Sequence, residues 1–290
     1  MAEQSEKLNA IKRLREMTGV GFADCKNAID ECNGDLDKSI EYLRKKGIAK
    51  ASKKMSRTAN EGLIMVHQEN NNLSLIEVNS ETDFVAKNKD FINFCKELSL
   101  LNFKCKADLE KLKKTKMKNS SSVDECLVDL ISKIGEKIII RRSKYLDSSN
   151  GDIFYYIHNI IEKNLAGKII SVVKINNISS NKDLGFKIAM HIAASAPLSI
   201  DKESLDKKII EKELEIIKAE LENNGKKADI AAKISKGKIE KFISENTLIN
   251  QPWFMDPKKK VKDVLKENST NDKSIDIIEF VRFKLGEAVS

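Results

Sequence analysis

Asn79-Ser-Glu-Thr-Asp-Phe-Val-Ala-Lys-Asn88, NSETDFVAKN, joins a β-rich run, LSLIEVN (73–79), to a run at helical spacing, KDFINFCKELSL (89–100). A strand passing straight into an amphipathic helix makes this an α+β region. A connecting turn should be polar, yet this one sets a carboxylate, Asp83, beside a large apolar ring, Phe84. Either the ring folds back into the core or it is held out for a partner.

Upstream, GLIMVH (62–67) pairs with LSLIEVN as a hairpin across Glu69–Asn72. Downstream, Phe91, Phe94, Cys95, Leu98 and Leu101 share one helical face. Residues 104–122 read as irregular, and Val123–Gly135 as another amphipathic helix. Three strands follow near 137–146, 152–160 and 167–176, then a helix over 181–195 stopped by Pro197. NKDFINFCKELSL (88–100) and NKDLGFKIAMHIA (181–193) each follow a strand pair and share an N-K-D-apolar start, which predicts two related α+β subdomains. Asp90 and Asp183 fall at the cap or in the first turn, where a carboxylate suits the helix dipole.

Residues 5–47 read as three short helices. Their inward faces carry Leu8, Ile11 and Leu14; Phe22, Cys25 and Ile29; and Leu36, Ile40 and Leu43. Thr18–Gly21 and Asn33-Gly34 separate them, Asp35 can cap the third, and Gly47 is expected to end it. So small a bundle predicts a docking module rather than an enzyme. Between 202 and 245, Ile210, Leu214, Ile217 and Leu221 form one seam and Ile230, Ile234 and Phe242 another, with a turn at Asn223–Gly225. A stripe one residue wide on a charged surface predicts a protruding antiparallel coiled-coil hairpin. After it, two prolines bracket Trp253-Phe254-Met255 in NQPWFMDP (250–257), before a short helix and a last β-like run. The expected organisation is a module at 1–47, a linker at 48–60, subdomains with antiparallel sheets at 61–145 and 146–200, the hairpin at 201–246, and a return to the second subdomain at 247–290.

Of the 290 residues, 33% are charged and 41% hydrophobic, ordinary for a soluble globular protein. No apolar run is long enough to span a membrane, and the charged N-terminus lacks the apolar core of a signal peptide, so a cytoplasmic location is expected. Five cysteines without a CxxC pair read as buried thiols, and three scattered histidines argue against zinc. The net charge of +8 raises nucleic acid as a partner. Against it, the excess is lysine spread over the whole chain, arginine is sparse, and aromatics are only 6% and not interleaved as stacking platforms. No G-x-x-x-x-G-K-[ST] loop is present, so no direct nucleotide binding is expected. No nucleophile-and-base grouping is readable either: His191 reads as a core or interface residue, and Glu81 and Asp83 as carboxylates on a turn. Neither enzymatic activity nor a cofactor is expected.

LREMTGVGFADCKNAI (14–29) and EVNSETDFVAK (77–87) strongly resemble the bacterial translation elongation factor Ts family, and so do KIGEKIIIRR (133–142), KIAMHIAASAP (187–197) and NQPWFMDP. The five motifs stand in that family's order and cover nearly the whole chain. The resemblance implies a helical module of the ubiquitin-associated type, a two-subdomain core and a coiled coil. It implies no enzyme but a guanine-nucleotide exchange factor for the GTPase elongation factor Tu. The turn Thr82, Asp83, Phe84 and Val85 would enter the GTPase near its magnesium and dislodge the ion. Phe22, Lys26, Ile134, Gly135, His191, Phe254 and Met255 match positions in or near the partner interface. Three departures stand out: Lys137 for a usual asparagine, Lys227 for a proline and Ala23 for a larger apolar residue. Many members also continue past the position of Ser290 with a helix that touches the partner, and its absence here would reduce affinity. A scaffold carrying a docking module, or a basic RNA-binding protein, is the alternative.

Overall fold

A computed structural model of the chain describes residues 2–178, 181–223, 228–270 and 273–288. Three helices come first: α1 (Ala2–Thr18), α2 (Phe22–Glu31) and α3 (Leu36–Lys54). Ile11, Leu14, Cys25, Ala28, Ile29 and Leu43 close their small core. Asp35 caps α3, its carboxylate accepting from Lys38 N at 3.0 Å. Leu8 and Phe22, both expected on inward faces, are exposed. The expected stop at Gly47 is also corrected, because α3 runs unbroken to Lys54 and so takes in the first part of the 48–60 stretch. Gly47 serves close approach instead: a methyl group there would lie 2.6 Å from Ser132 Oγ on the neighbouring helix.

β1 (Glu61–Glu69) and β2 (Asn72–Ser80) form the expected hairpin. Asn70 and Asn71 turn it with φ of 49° and 63°, the left-handed pair of a type I′ turn, which asparagine tolerates. The single turn α4 (Asp83–Ala86) leads to α5 (Lys89–Lys104), which lies across both strands. The stretch read as irregular contains α6 (Leu109–Lys114), too short for periodicity to reveal and capped by Asp108. Then come α7 (Val123–Ile134), opened by a Ser122/Glu125 capping box, and β3 (Ile138–Leu146), antiparallel to β2.

The second half repeats this plan. β4 (Asp152–Glu162) and β5 (Ala166–Ile175) form a hairpin, and α8 (Lys182–Ser195) lies across it. The two helices of the repeat start alike, with asparagine rather than aspartate as cap. Asn88 accepts from Asp90 N and Phe91 N, and Asn181 from Leu184 N, while Asp90 and Asp183 sit in the first turns. Next come the paired helices α9 (Lys207–Asn223) and α10 (Ala228–Asn246), the small ribbon β6 (Pro252–Trp253) and β7 (Asp256–Lys260), and α11 (Val261–Asn268). The last strand, β8 (Ile277–Lys284), is antiparallel to β5 as β3 is to β2. Each half is therefore a hairpin, a helix, an insertion and a third strand beside the second. Short pairing of Ile64 and Met65 with Gly167 and Ala166 joins the halves into one six-stranded sheet.

Apolar clusters lie under α5 and α7 in the first half, and under α8, Trp253 and α11 in the second. A third, with Ile64, Leu75, Ile170, Val172 and Phe283, occupies the faces turned away from those helices. In the antiparallel helical pair Ile217, Leu221 and Ile243 are buried, with Ile210, Leu214, Ile234 and Phe242 half-buried. Asn224, Gly225, Lys227 and the Ile230 side chain fall outside the described residues. The five cysteines are free thiols, of which Cys25, Cys95 and Cys105 are buried. Among the described residues no helix is long and apolar enough to cross a membrane, and no cluster of histidine, cysteine and acidic side chains could hold a metal.

Candidate functional site: the Thr82–Val85 turn and its supports

β2 delivers the chain to Ser80, and within three residues it must turn into α4. Val85 and Ala86 are buried and anchor the turn in the core beneath α5. Phe84, between the backbone of Asp83 and that anchor, points the other way. It is 79% exposed, the most exposed large apolar side chain among the described residues. Asp83 is also open to solvent, paired with Lys87 Nζ at 3.3 Å one turn along. Burying a phenylalanine ring yields on the order of 1.5–3 kcal/mol, which this fold forgoes at Phe84.

The turn is braced from outside. Glu136 accepts from Thr82 N at 3.0 Å and from Thr82 Oγ1 at 2.7 Å. Reciprocally, Glu81 accepts from Lys137 N at 2.6 Å. Two carboxylates thus reach across, each taking the backbone N–H next to the other. Ser80 Oγ donates to Thr82 O at 2.9 Å and closes the inner side. Gly135 makes the arrangement possible, ending α7 in the left-handed conformation (φ 87°) and turning Glu136 towards Thr82. Arg57 Nη1 lies 3.3 Å from Glu81 Oε1, and Lys137 Nζ donates to the carbonyls of Met55 and Arg57 at 2.6 Å each. The lysine that departs from the family pattern therefore holds the end of α3 against the turn.

Several expected site residues gather around this brace. Ile134 is half-buried and Gly135 exposed at the end of α7, immediately before Glu136. Phe22 and Lys26 lie four residues apart on α2, hence on one face, and both are exposed, Phe22 by 44%. The Thr18–Gly21 turn before them packs against the Lys133 side chain, which pairs with Asp90 at 2.9 Å. Module, α7 terminus and Phe84 turn are thus linked through contacts among named residues. Glu136 and Arg57 escaped sequence reading, because neither stands near the turn in the chain and neither carries a local signal.

The other three expected residues belong to the second half. Phe254 and Met255 form the tip of the β6–β7 ribbon, 37% and 45% exposed. His191 on α8 is fully buried beneath them, its ring stacked on Trp253 at 5.3 Å and tilted against Phe254 at 6.0 Å. Gln251 donates its amide to Ser195 O and Glu245 O, leaving its oxygen for His191 Nε2 at 3.0 Å. Nε2 therefore carries a proton and donates it to that oxygen. Nδ1 is buried without a partner, and desolvation pushes the pKa below that of an ordinary histidine. His191 supports the ribbon tip from below rather than presenting itself at the surface.

The comparisons with known proteins agree with one another. The model of the family described as elongation factor TS matches residues 81–287, beginning at the head of the Phe84 turn. Elongation factor Ts of Nitratiruptor sp. is 43% identical over 289 residues, spanning 96% of this chain and 92% of that protein. That of Zymomonas mobilis is 39% identical over 284 residues, with 97% and 92% covered. That of Rickettsia prowazekii is 40% identical over 295 residues, with 100% and 94% covered. With likeness of this extent running from the three-helix module to the last strand, the chain belongs to the elongation factor Ts family.

Proposed function

We propose that this chain is a guanine-nucleotide exchange factor: it binds elongation factor Tu–GDP in the cytoplasm and promotes GDP release, so that GTP can rebind. It does so as a binding protein, without a chemical step or a cofactor of its own. The observation that carries this reading is Phe84, an exposed ring on a turn whose next two residues, Val85 and Ala86, are fixed in the core. Phe84 wedges into the GTPase beside its magnesium and phosphate site, and Asp83 holds the displaced arrangement while Thr82 and Val85 keep the turn rigid. Bound Mg²⁺ supplies much of the positive charge that retains GDP phosphates, so dislodging it loosens the nucleotide without competing for its pocket. Exchange factor and GDP then weaken each other's binding reciprocally, as linked equilibria require.

Phe22 and Lys26 of the module, with Ile134 and Gly135, extend this contact. Phe254 and Met255, stiffened by His191, provide a second one on the other half. Pre-organisation matters here, because a ring that had to be ordered on binding would lose part of its contact energy to entropy.

The test is release of a fluorescent GDP analogue from elongation factor Tu, with wild type and Phe84→Ala compared. Acceleration by wild type that the folded variant largely loses is the expected result. Equal acceleration by both would remove Phe84 from the mechanism. No acceleration by wild type would overturn the exchange reading and make RNA binding, tested by its salt dependence, the next question.

A further inference from the structure

The geometry points to Glu136 as a positioning residue for exchange: its carboxylate holds the Asp83–Ala86 turn in the one arrangement that keeps Phe84 out and aimed. The inference rests on the exchange reading above and deepens it. α4 is four residues long, far below the ~12–15 at which an isolated helix becomes even marginal in water. Its own cap does not hold it, because Thr82 occupies the N-cap position without a side-chain bond into the helix. That hydroxyl donates instead to Glu136, and the Thr82 backbone N–H does the same, so both hydrogen-bond donors of one residue are taken by one carboxylate. Hydrogen bonds to an ionised acceptor are stronger and shorter than neutral ones.

The position of Glu136 is fixed in turn. Gly135 ends α7 just before it, and Lys137 N, just after it, donates to Glu81, just before Thr82. The pair of loops is locked twice, in opposite senses, and Phe84 stands two residues beyond the lock. Val85 and Ala86 fix the far side of the turn in the core, and Glu136 fixes its near side at Thr82, with Phe84 held between the two.

Glu136→Ala, Glu136→Gln and Thr82→Val, each alone and combined with Phe84→Ala, test this in the GDP-release assay at saturating and sub-saturating exchange factor. A misaimed ring should lower the saturating rate by about tenfold, within the range that small misplacements of reacting groups cost. The concentration for half-maximal effect and the melting temperature should change little. Glu136→Gln keeps one acceptor oxygen and should recover most of the rate, and Thr82→Val, which keeps the backbone donor, should fall between. Because Glu136 acts through Phe84, the Glu136→Ala/Phe84→Ala pair should be no slower than Phe84→Ala alone.

Wild-type rates for both Glu136→Ala and Thr82→Val would overturn the assignment. So would an undiminished Glu136→Ala effect in the Phe84→Ala background, which would give Glu136 a role independent of the ring. If Phe84→Ala itself exchanges like wild type, the wedge reading has failed and this inference falls with it.

Discussion

Phe84 and Val85 are neighbours in the chain with opposite environments, the first 79% exposed and the second 5%. The contrast separates binding from stability. Phe84→Ala should leave the melting curve unchanged within about 0.5 kcal/mol, as for a surface position, whereas Val85→Ala should cost about 1–3 kcal/mol by opening a void under α5. Chemical denaturation of both variants checks this. A large loss in Phe84→Ala would mean that the ring is buried in solution.

Buried Glu77 is a second point of high stability cost. Its carboxylate accepts from Arg141 Nη1 at 2.9 Å, Arg142 Nε at 2.6 Å, Asn79 Nδ2 at 3.1 Å and Gly286 N at 3.0 Å. A bulge opposite Glu77 and Val78 lets two successive arginines reach the same carboxylate and ties the first half to the end of β8. Removing one partner of a buried pair strands the others, so Glu77→Ala should destabilise by about 3–5 kcal/mol. Glu77→Gln, which retains one acceptor, should lose less. Equal urea midpoints for wild type and Glu77→Ala would contradict this account.

His191 should give stability a pH dependence. Its folded-state pKa lies below that of the unfolded chain, so the unfolded state binds more protons as pH falls below about 6.5. The stabilisation is complete above that pH and is lost as pH drops through the folded-state value. His191→Gln should flatten this part of the profile, measured as the difference in unfolding free energy between wild type and variant from pH 7.5 to 5. A slope of the opposite sign would mean that the imidazole is charged in the fold.

Gly47 and Ser132 make a paired prediction. Alanine at 47 improves helix propensity by about 1 kcal/mol but meets Ser132 Oγ, so Gly47→Ala alone should be near neutral. That hydroxyl is buried without a hydrogen-bond partner, and its Cβ leaves ordinary room at 3.6 Å. Adding Ser132→Ala should release the gain and raise the melting temperature. A double variant no more stable than Gly47→Ala would place the two helices farther apart than the structure does.

The main elements were legible from composition and period. Short apolar, β-rich runs mark β1 and β2, which are buried on both faces, and helical spacing marks α5, α7 and the seam of α9. What escaped depends on partners distant in sequence. Gly47 reads as a stop until Ser132 is placed beside it. Leu8 fits its helical stripe, yet α2 and α3 leave it outside. The α6 turn is too short for any period, and Glu136 reads as a surface acid until Thr82 stands opposite. Phe84 was legible because it broke the local rule for turns, whereas the depth of His191 could be known only once Trp253 lay over it.

The antiparallel helical pair leaves and rejoins the body at one place. Leu198 N donates to Asn246 O, Leu248 N to Ser199 O and Ile249 N to Ile200 O, at 2.8–3.0 Å. That knot is tied by the segments on either side and the last turn of α10, and does not draw on the arm beyond it. The cost of closing a loop grows only slowly with its length, about 0.6 kcal/mol per doubling. The arm can therefore be lengthened, shortened or replaced over generations while the sheet below keeps its register, which makes this slot the place where lineages can acquire new reach at little cost to the fold.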